Sequence, residues 1–368
     1  MYNILFLDDD EAELETFKRD IEELNEDAAS DDYKIKGFFT SDVKEASYVL
    51  YTENISGVVL DLLLGGAKEA AGKDEELTGN IFLDNILSKE ILPIAVRTNT
   101  PKRSLRYEKD EKKLLKVYDK TDSSIEMLES LIKEVDSDKF KLLGKNGELS
   151  QGMSEIFWKA LPQNIDSLES SKGIVVRYVS SWLKNKYEYN NDEEDFSKQS
   201  PIEMYMIPNF IPRLCTGDIL KKEDTYFVVM TPACDLSNSK CTKILLVKIL
   251  DDYSVLDGSQ KFNTCLEAAK TGGKKQKNNL GRFTRHNSKN RYHFLPKTPD
   301  FRGGVMDFQE LLTVDYDSEN QRINEDLNYI KLGVITDPFI RDIIARFGMY
   351  YQRQGQPDLD IDEVLRYY

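Results

Sequence analysis

The chain has 368 residues and a formal net charge of −15, with 40% hydrophobic and 31% charged residues. This composition is typical of a soluble globular protein, and the length predicts two or three domains because single cores stop growing at roughly 250–300 residues. No apolar run approaches the ~18 residues of a membrane span, and the N-terminus lacks the flanks of a signal peptide, so we expect a cytoplasmic protein without a membrane partner.

The first half predicts strands that alternate with helices. Residues 3–7 form a continuous apolar run, which favours a strand buried on both faces. An apolar stripe then predicts a helix from about Glu11 to Asn25. A strand near 34–39, a helix near 43–51 and strands at 57–60, 93–97 and 117–118 follow, before a helix that a capping box opens at Ser123. This alternation predicts an α/β fold, a doubly wound, flavodoxin-like parallel sheet of five strands.

Several of these strands end in residues that carry chemistry. Asp8 and Asp9 follow the first strand, Asp61 the third, Thr98 the fourth and Lys120 the fifth. Because the carboxyl ends of parallel strands share one edge of a sheet, we expect these side chains to lie together. Clustered carboxylates repel one another unless they bind a hard cation such as Mg²⁺, while a hydroxyl and an ammonium can bind phosphoryl oxygens.

In that order and strand context, Leu7-Asp8-Asp9-Asp10, Val59-Leu60-Asp61, Thr98 and Lys120 resemble the response-regulator receiver domains of two-component systems, over roughly residues 1–135. The resemblance implies a domain that catalyses its own phosphorylation from a histidine kinase. It also implies that Thr98 and Lys120 sense the phosphoryl group. A second copy of the chain, in a homo-oligomer, is a further candidate partner.

The same resemblance implies a receiver domain over residues 1–138 whose phosphoacceptor is Asp61. It implies Mg²⁺ as the cofactor, held directly by Asp9 and Asp61, through water by Asp8, and by the backbone carbonyl of Leu63. Three departures from the family pattern keep open a pseudo-receiver that serves only protein interaction. Thr121 stands where proline usually follows the lysine, Val117 replaces the usual aromatic switch residue, and residues 64–78 form a long insertion beside the acceptor.

The second half changes character. Residues 139–200 predict a helical linker, and residues 201–368 predict a β-rich output domain with a terminal helix. Within it, Gly217-Asp218-Ile219, Tyr226–Met230, Thr231–Leu236 and Ile244–Ile249 loosely resemble the SH3-like barrels of toxin-type ribonucleases and their non-toxic relatives. A receiver-gated nuclease is therefore an alternative to an adaptor that phosphorylation controls.

The output domain shows no convincing catalytic set. Cys234-Asp235 could be a reactive pair in a turn, but a structural cysteine beside a turn-forming aspartate is the more common arrangement. Cys234, Cys241, His286 and His293 could in principle bind zinc, yet the spacing within each pair matches no common ligand pattern. No helix-turn-helix with a recognition helix is evident, so an ordinary transcription-factor output is not supported.

A local basic segment interrupts the acidic chain between residues 270 and 302. Its cations face a single acid, Asp300, and the aromatic residues Phe283, Tyr292 and Phe294 lie among them. Charge with interleaved aromatics is the combination that binds single-stranded nucleic acid, although a solvated basic loop or a dock for the acidic receiver also fits. The cations are Lys270, Lys274, Lys275, Lys277, Arg282, Arg285, Lys289, Arg291, Lys297 and Arg302.

Overall fold

The computed structural model describes residues 1–28, 34–64, 78–99, 115–164, 172–188, 199–258, 261–285, 289–323, 328–353 and 358–368. The chain divides into two compact units, residues 1–192 and 193–368. The helices that follow residue 138 therefore group with the N-terminal sheet. Within the described ranges, no helix combines the length and the apolar character that crossing a bilayer requires.

The first unit is built on a parallel sheet of five strands. Its strands are β1 (Tyr2–Leu7), β2 (Ile35–Thr40), β3 (Gly57–Leu60), β4 (Ile94–Arg97) and β5 (Lys116–Tyr118), and its helices begin with α1 (Glu11–Glu26), α2 (Val43–Thr52), α3 (Thr78–Lys89) and α4 (Ser124–Val135). The strand order is β2-β1-β3-β4-β5, with every pair parallel. This is the flavodoxin-like strand order, so the predicted doubly wound fold of the first half is confirmed.

Apolar cores cover both faces of this sheet, which explains why its strands are almost wholly apolar. Leu5 and Leu60 pack on one side with α2 and α3, whereas Phe6 and Val59 pack on the other with α1 and α4. The predicted cap of α4 is present, since the Ser123 hydroxyl accepts a hydrogen bond from the Glu126 amide. With both faces filled, the strand ends are held at a fixed edge.

Gly79 at the start of α3 is a position where a side chain has no room. A Cβ atom there would lie 2.5 Å from the Leu62 Cα, 2.6 Å from the Asp61 carbonyl oxygen and 2.7 Å from the Leu62 carbonyl oxygen. We expect Gly79→Ala to lower the free energy of unfolding by about 1–3 kcal/mol, because backbone atoms cannot yield as a flexible side chain can. Urea denaturation followed by circular dichroism would measure it.

Gly348, in the helix Phe339–Gln352, is the matched control. A Cβ atom there would meet nothing within 4 Å, so Gly348→Ala should raise the free energy of unfolding by about 0.5–1 kcal/mol. Equal stability of Gly79→Ala and the wild type would show that α3 can move away from the loop after β3.

Two short helices and one long helix complete the first unit. They are α5 (Asp138–Leu143), α6 (Glu148–Glu155), which continues into a π-helical turn at Ile156–Ala160, and α7 (Lys172–Glu188). The 17 residues of α7 include no buried side chain. Its attachments are polar, since Lys186 pairs with Glu155 and the Tyr187 hydroxyl donates to the Glu148 carbonyl at 2.7 Å.

The second unit is built on an antiparallel sheet that curls into a half-barrel. The path runs β10-β11-β9-β8-β7-β13-β6, and β12 pairs with β11. This confirms a mainly β second half, whereas its likeness to SH3-like barrels stays a prediction. The strands are β6 (Tyr205–Met206), β7 (Asp218–Lys222), β8 (Thr225–Val229), β9 (Lys243–Leu250), β10 (Tyr292–Leu295), β11 (Gly304–Asp317), β12 (Arg322–Ile323) and β13 (Ile330–Ile335).

Among the described residues, five α-helices accompany this sheet. They are α8 (Ala233–Ser237), α9 (Phe262–Thr271), α10 (Lys274–Thr284), α11 (Phe339–Gln352) and α12 (Ile361–Leu365). As predicted, an apolar stripe packs α11 on the sheet, with Ile340, Ile343 and Tyr350 buried in the same core as Phe308. The end of α9 and the whole of α10 lie in the predicted basic segment, for which a solvated loop was one of the alternatives.

Candidate functional site

Three carboxylates converge at the carboxyl edge of the parallel sheet. One oxygen atom from each of Asp8, Asp9 and Asp61 lies within 4.8 Å of the others. Asp8 and Asp61 are buried, and Asp9 is exposed. Asp9 is therefore the member of the cluster that solvent reaches most easily.

Backbone amides hold the two buried carboxylates in place. The Asp10 amide donates to Oδ1 of Asp8 at 2.9 Å, and the Leu63 amide donates to Oδ1 of Asp61 at 3.1 Å. Asp10 in turn caps α1, because its side chain accepts from the Ala12 amide at 2.9 Å. The turns after β1 and β3 thus fix carboxylate orientation through local hydrogen bonds.

Lys120 bridges the two buried carboxylates from the loop after β5. Its Nζ lies 2.9 Å from Oδ2 of Asp8 and 2.8 Å from Oδ2 of Asp61. Burial lowers the pKa of Lys120, but hydrogen bonds to Asp61 and Asp8 outweigh this effect and raise the pKa to about 12. The ammonium is therefore charged at neutral pH.

The buried position of Asp8 disfavours its charged form. Burial raises its pKa to about 6, and the charge of Asp61 adds to this effect, while hydrogen bonds from Lys120 and the Asp10 amide act in the opposite direction. Its carboxylate therefore gains from any additional positive charge nearby.

The donor set fits a hard divalent cation. Three carboxylates and one ammonium leave two negative charges at the cluster, which a cation such as Mg²⁺ would balance, and oxygen donors are the ligands that Mg²⁺ prefers. In the part of the chain that the structure describes, this is the one group of three or more acidic, histidine or cysteine side chains close enough to hold a metal. Of the residues in the predicted zinc alternative, His286 lies outside the described residues.

Thr98 and Leu63 frame the cluster. Thr98 is fully buried at the end of β4, beside β3, and its hydroxyl forms no hydrogen bond with any described residue. Its amide donates to the Tyr118 carbonyl at 3.0 Å, which ties the end of β4 to β5. The roles of the Thr98 hydroxyl and the Leu63 carbonyl stay predictions.

Arg97, immediately before Thr98, was not predicted as a site residue. It is buried, with Nη2 donating to the Lys120 carbonyl at 2.9 Å and Nε 3.5 Å from a Glu13 carboxylate oxygen. Its guanidinium also lies 5.3 Å from the centre of the Phe17 ring. Arg97 thus anchors the backbone of the residue whose ammonium bridges the carboxylates, and a charged residue ending an apolar strand was the available signal.

The departures from the receiver pattern are visible in this region. Val117 packs in the core with α2 and α3, while Tyr118 packs in the opposite core, so the tyrosine does not replace the missing aromatic. The peptide bond between Lys120 and Thr121 is trans. Of the predicted insertion, residues 65–77 lie outside the described residues.

Cys234 and Asp235 lie on the short helix α8 rather than in a turn. The Cys234 sulfur is exposed and lies 3.6 Å from Oδ1 of Asp235. No histidine contact with this pair is present among the described residues. The arrangement adds no support for a nuclease.

The structure divides the predicted basic residues into two groups. Lys274, Lys275, Lys277, Arg282 and Arg285 are exposed on α10 or at its end. Arg291 instead pairs in bidentate fashion with the buried Asp307, and Arg302 pairs with Asp251. Phe283 is buried, which contradicts its predicted place on a stacking surface, because the apolar face of α10 is turned toward the domain core.

Comparisons with solved structures find response-regulator receiver domains. A response-regulator receiver domain from Methylobacillus flagellatus is 16% identical, with 37% of this chain and 99% of that chain covered and a TM-score of 0.28. The PhyR receiver domain of Erythrobacter litoralis is 18% identical, with 36% and 88% covered and a TM-score of 0.27. The BeF3-activated receiver domain of Klebsiella pneumoniae RstA is 18% identical, with 37% and 99% covered and a TM-score of 0.26.

These identities and TM-scores are too low to carry an argument about function. No protein-family profile matches the chain, and no curated protein matches it. The features that characterise the first unit are its strand order and the residues at the carboxyl edge of its sheet.

Proposed function

We propose that the first unit is a response-regulator receiver that accepts a phosphoryl group on Asp61 in a Mg²⁺-dependent reaction. The observation that supports this most directly is the convergence of Asp8, Asp9 and Asp61 with the Lys120 ammonium between the two buried carboxylates. Asp61 is the acceptor in this proposal because it is the cluster member at the end of the central strand β3. Asp8, Asp9 and the Leu63 carbonyl would complete the metal site.

The proposed reaction is a transfer from the phosphohistidine of a kinase. A carboxylate oxygen of Asp61 forms a bond to phosphorus while the bond from phosphorus to the histidine nitrogen breaks. When bound, Mg²⁺ would neutralise charge on the phosphoryl oxygens. The Leu63 amide holds Oδ1 of Asp61, and this contact orients the nucleophile.

Lys120 changes partners in this proposal. Its Nζ forms ion pairs with two carboxylates, those of Asp8 and Asp61. Because the side chain is flexible and the backbone is anchored, the ammonium can move to a new phosphoryl oxygen without a change in the loop conformation. Arg97 provides the anchor by binding the Lys120 carbonyl. The buried Thr98 hydroxyl, which forms no hydrogen bond with a described residue, is a donor for a second phosphoryl oxygen.

Acetyl phosphate, a small phosphodonor, tests the function without the kinase. We expect a mass increase of one phosphoryl group in the presence of Mg²⁺ and none in the presence of excess chelator. A chain that shows no mass increase in either condition would favour the alternative of a pseudo-receiver.

The lifetime of the phosphoryl group is expected to depend on Leu63. An apolar side chain there cannot orient water for attack on the acyl phosphate, so the wild type should lose the group slowly. We expect Leu63→Glu to lose it faster, as the decay of the phosphorylated mass after removal of the donor would show. Leu63→Met, which keeps the side chain apolar, should decay at the wild-type rate. A longer lifetime in Leu63→Glu would contradict this role.

A further inference from the structure

We propose that the second unit binds a single-stranded nucleotide chain, with phosphates on the outer face of α10 and one base in a pocket at the end of that helix. This goes beyond the phosphoacceptor function and does not depend on it. Two separate observations support the site: a row of cations that form no ion pair with a described residue, and an adjoining cavity of suitable size and lining.

The outer face of α10 is a dense patch of positive charge. None of its cations forms an ion pair with a described residue, and the helix contains no acid. Like charges at helical spacing repel one another, so a polyanion bound along this face would reduce the electrostatic repulsion among these cations. The cations of this patch, here called the α10 cation patch, are Lys274, Lys275, Lys277, Arg282 and Arg285.

A pocket opens where α10 ends. It has a volume of about 630 Å³, within the range of small-ligand sites. Arg285 belongs both to the cation patch and to the pocket wall, so the two features form one continuous surface. The pocket is lined by Gln199, Ser200, Pro201, Met204, Thr284, Arg285, His293, Phe294, Pro296, Pro338, Phe339 and Asp342.

The lining suits a nucleobase. Phe294 and Phe339 supply aromatic surface, and prolines and a methionine supply further apolar surface, for a flat ring. His293, which is only 2% exposed, Gln199 and Asp342 bring polar groups that can meet the donors and acceptors on the edge of a base. The apolar walls would contact the ring of a base, the polar groups its edge, and the cation at the mouth of the cavity its phosphate.

The geometry also restricts the form of the ligand. A base that enters the pocket must be unpaired, which favours a single strand over a duplex. Arg291 and Arg302 already pair with acids, and Phe283 is buried, so the proposed contacts do not include these three residues.

The test is fluorescence anisotropy on the full chain with a labelled single-stranded oligonucleotide and with a duplex of the same sequence. We expect the single strand to bind more tightly, with an affinity that falls as salt rises. Replacing two patch cations, in Lys275→Gln with Arg282→Gln, should weaken binding at least tenfold. It should also flatten the dependence of log Kd on log salt by about 0.7 for each cation removed.

Two further variants separate the patch from the pocket. Lys240→Gln with Lys261→Gln removes the same charge from exposed positions elsewhere in the unit and should leave binding unchanged. Thr284→Trp fills the pocket from an exposed helix position and should abolish the preference for single strands while the salt dependence remains.

Three results would overturn the proposal. The first is wild-type binding by the Lys275 and Arg282 double variant. The second is equal affinity for polyglutamate, which would identify the patch as a dock for acidic polypeptides. The third is an unchanged single-strand preference in Thr284→Trp, which would show that no base binds in the pocket.

Discussion

Asp61→Asn is expected to abolish the Mg²⁺-dependent mass increase that acetyl phosphate produces in the wild type. The amide cannot act as the nucleophile toward phosphorus, and its oxygen carries no charge with which to bind a cation. The effect should be all or none, because no other described carboxylate occupies the same position at the end of β3. Intact-mass spectrometry after a fixed incubation measures it directly.

Asp84→Asn is the matched control for this variant. Asp84 is an exposed aspartate on α3 in the same unit, so the Asp84→Asn variant keeps the proposed acceptor Asp61 and should gain the phosphoryl mass like the wild type. A full mass increase in Asp61→Asn would place the phosphoryl group elsewhere. Circular dichroism should show that Asp61→Asn retains its fold, since the Leu63 amide can still donate to the amide oxygen.

Lys331→Met is expected to destabilise the second unit by about 3–5 kcal/mol at neutral pH, because it leaves a buried carboxylate without its cation. Asp218 is 0% exposed, and the Lys331 Nζ lies 2.9 Å from its Oδ2. Lys331 also donates to the Ile211 and Arg213 carbonyls at 2.9 Å and 2.8 Å, so the variant loses three contacts. Denaturant unfolding, with the transition of the second unit followed separately, measures the loss.

The loss should depend on pH with a definite sign. Burial raises the pKa of Asp218 above its usual value, while Lys331 and the Cys215 amide act in the opposite direction. A folded-state pKa above the unfolded value means that the folded state favours the proton, so stability falls as pH rises through that pKa. Without Lys331 the pKa rises further, and the deficit of the variant should grow from acidic to neutral pH.

Two comparisons make this prediction specific. Adding Asp218→Asn to Lys331→Met removes the stranded charge and should recover much of the stability. Lys243→Met breaks an exposed pair in the same sheet, where Lys243 is 65% and Asp315 81% exposed, and should change stability little. If Lys331→Met proved as mild as Lys243→Met, the buried pair would contribute no more than a surface contact.

The sequence predicted the parallel sheet well because each strand is a short apolar run whose ending is marked by a polar residue. Leu7 before Asp8 and Leu60 before Asp61 show both features, and the fold follows from repeating them. The convergence of the carboxylates also followed from topology alone, since parallel strands bring their carboxyl ends to one edge.

Other features depended on contacts between residues distant in the sequence. Arg97 reaches the Lys120 carbonyl across 23 residues, and Lys331 reaches the Arg213 carbonyl across 118, which no local spacing reveals. The helix α10 was not predicted, and a solvated basic loop was one alternative for its segment, because the charged face of the helix dominates the composition while the few apolar residues that bury it are widely spaced. Hydrophobic periodicity is a weak signal where so little of a helix is apolar.

Because α7 has no fully buried side chain, we expect this helix to unfold locally before either sheet does. A helix whose apolar side chains are at most half-buried gains less from packing than one with a fully buried face, and an isolated helix of this length is only marginally stable in water. Local opening of α7 therefore costs far less free energy than opening either sheet. Its amide hydrogens should exchange with solvent while those of β1 and β9 are still protected, and proteases should cut the chain there before either sheet unfolds.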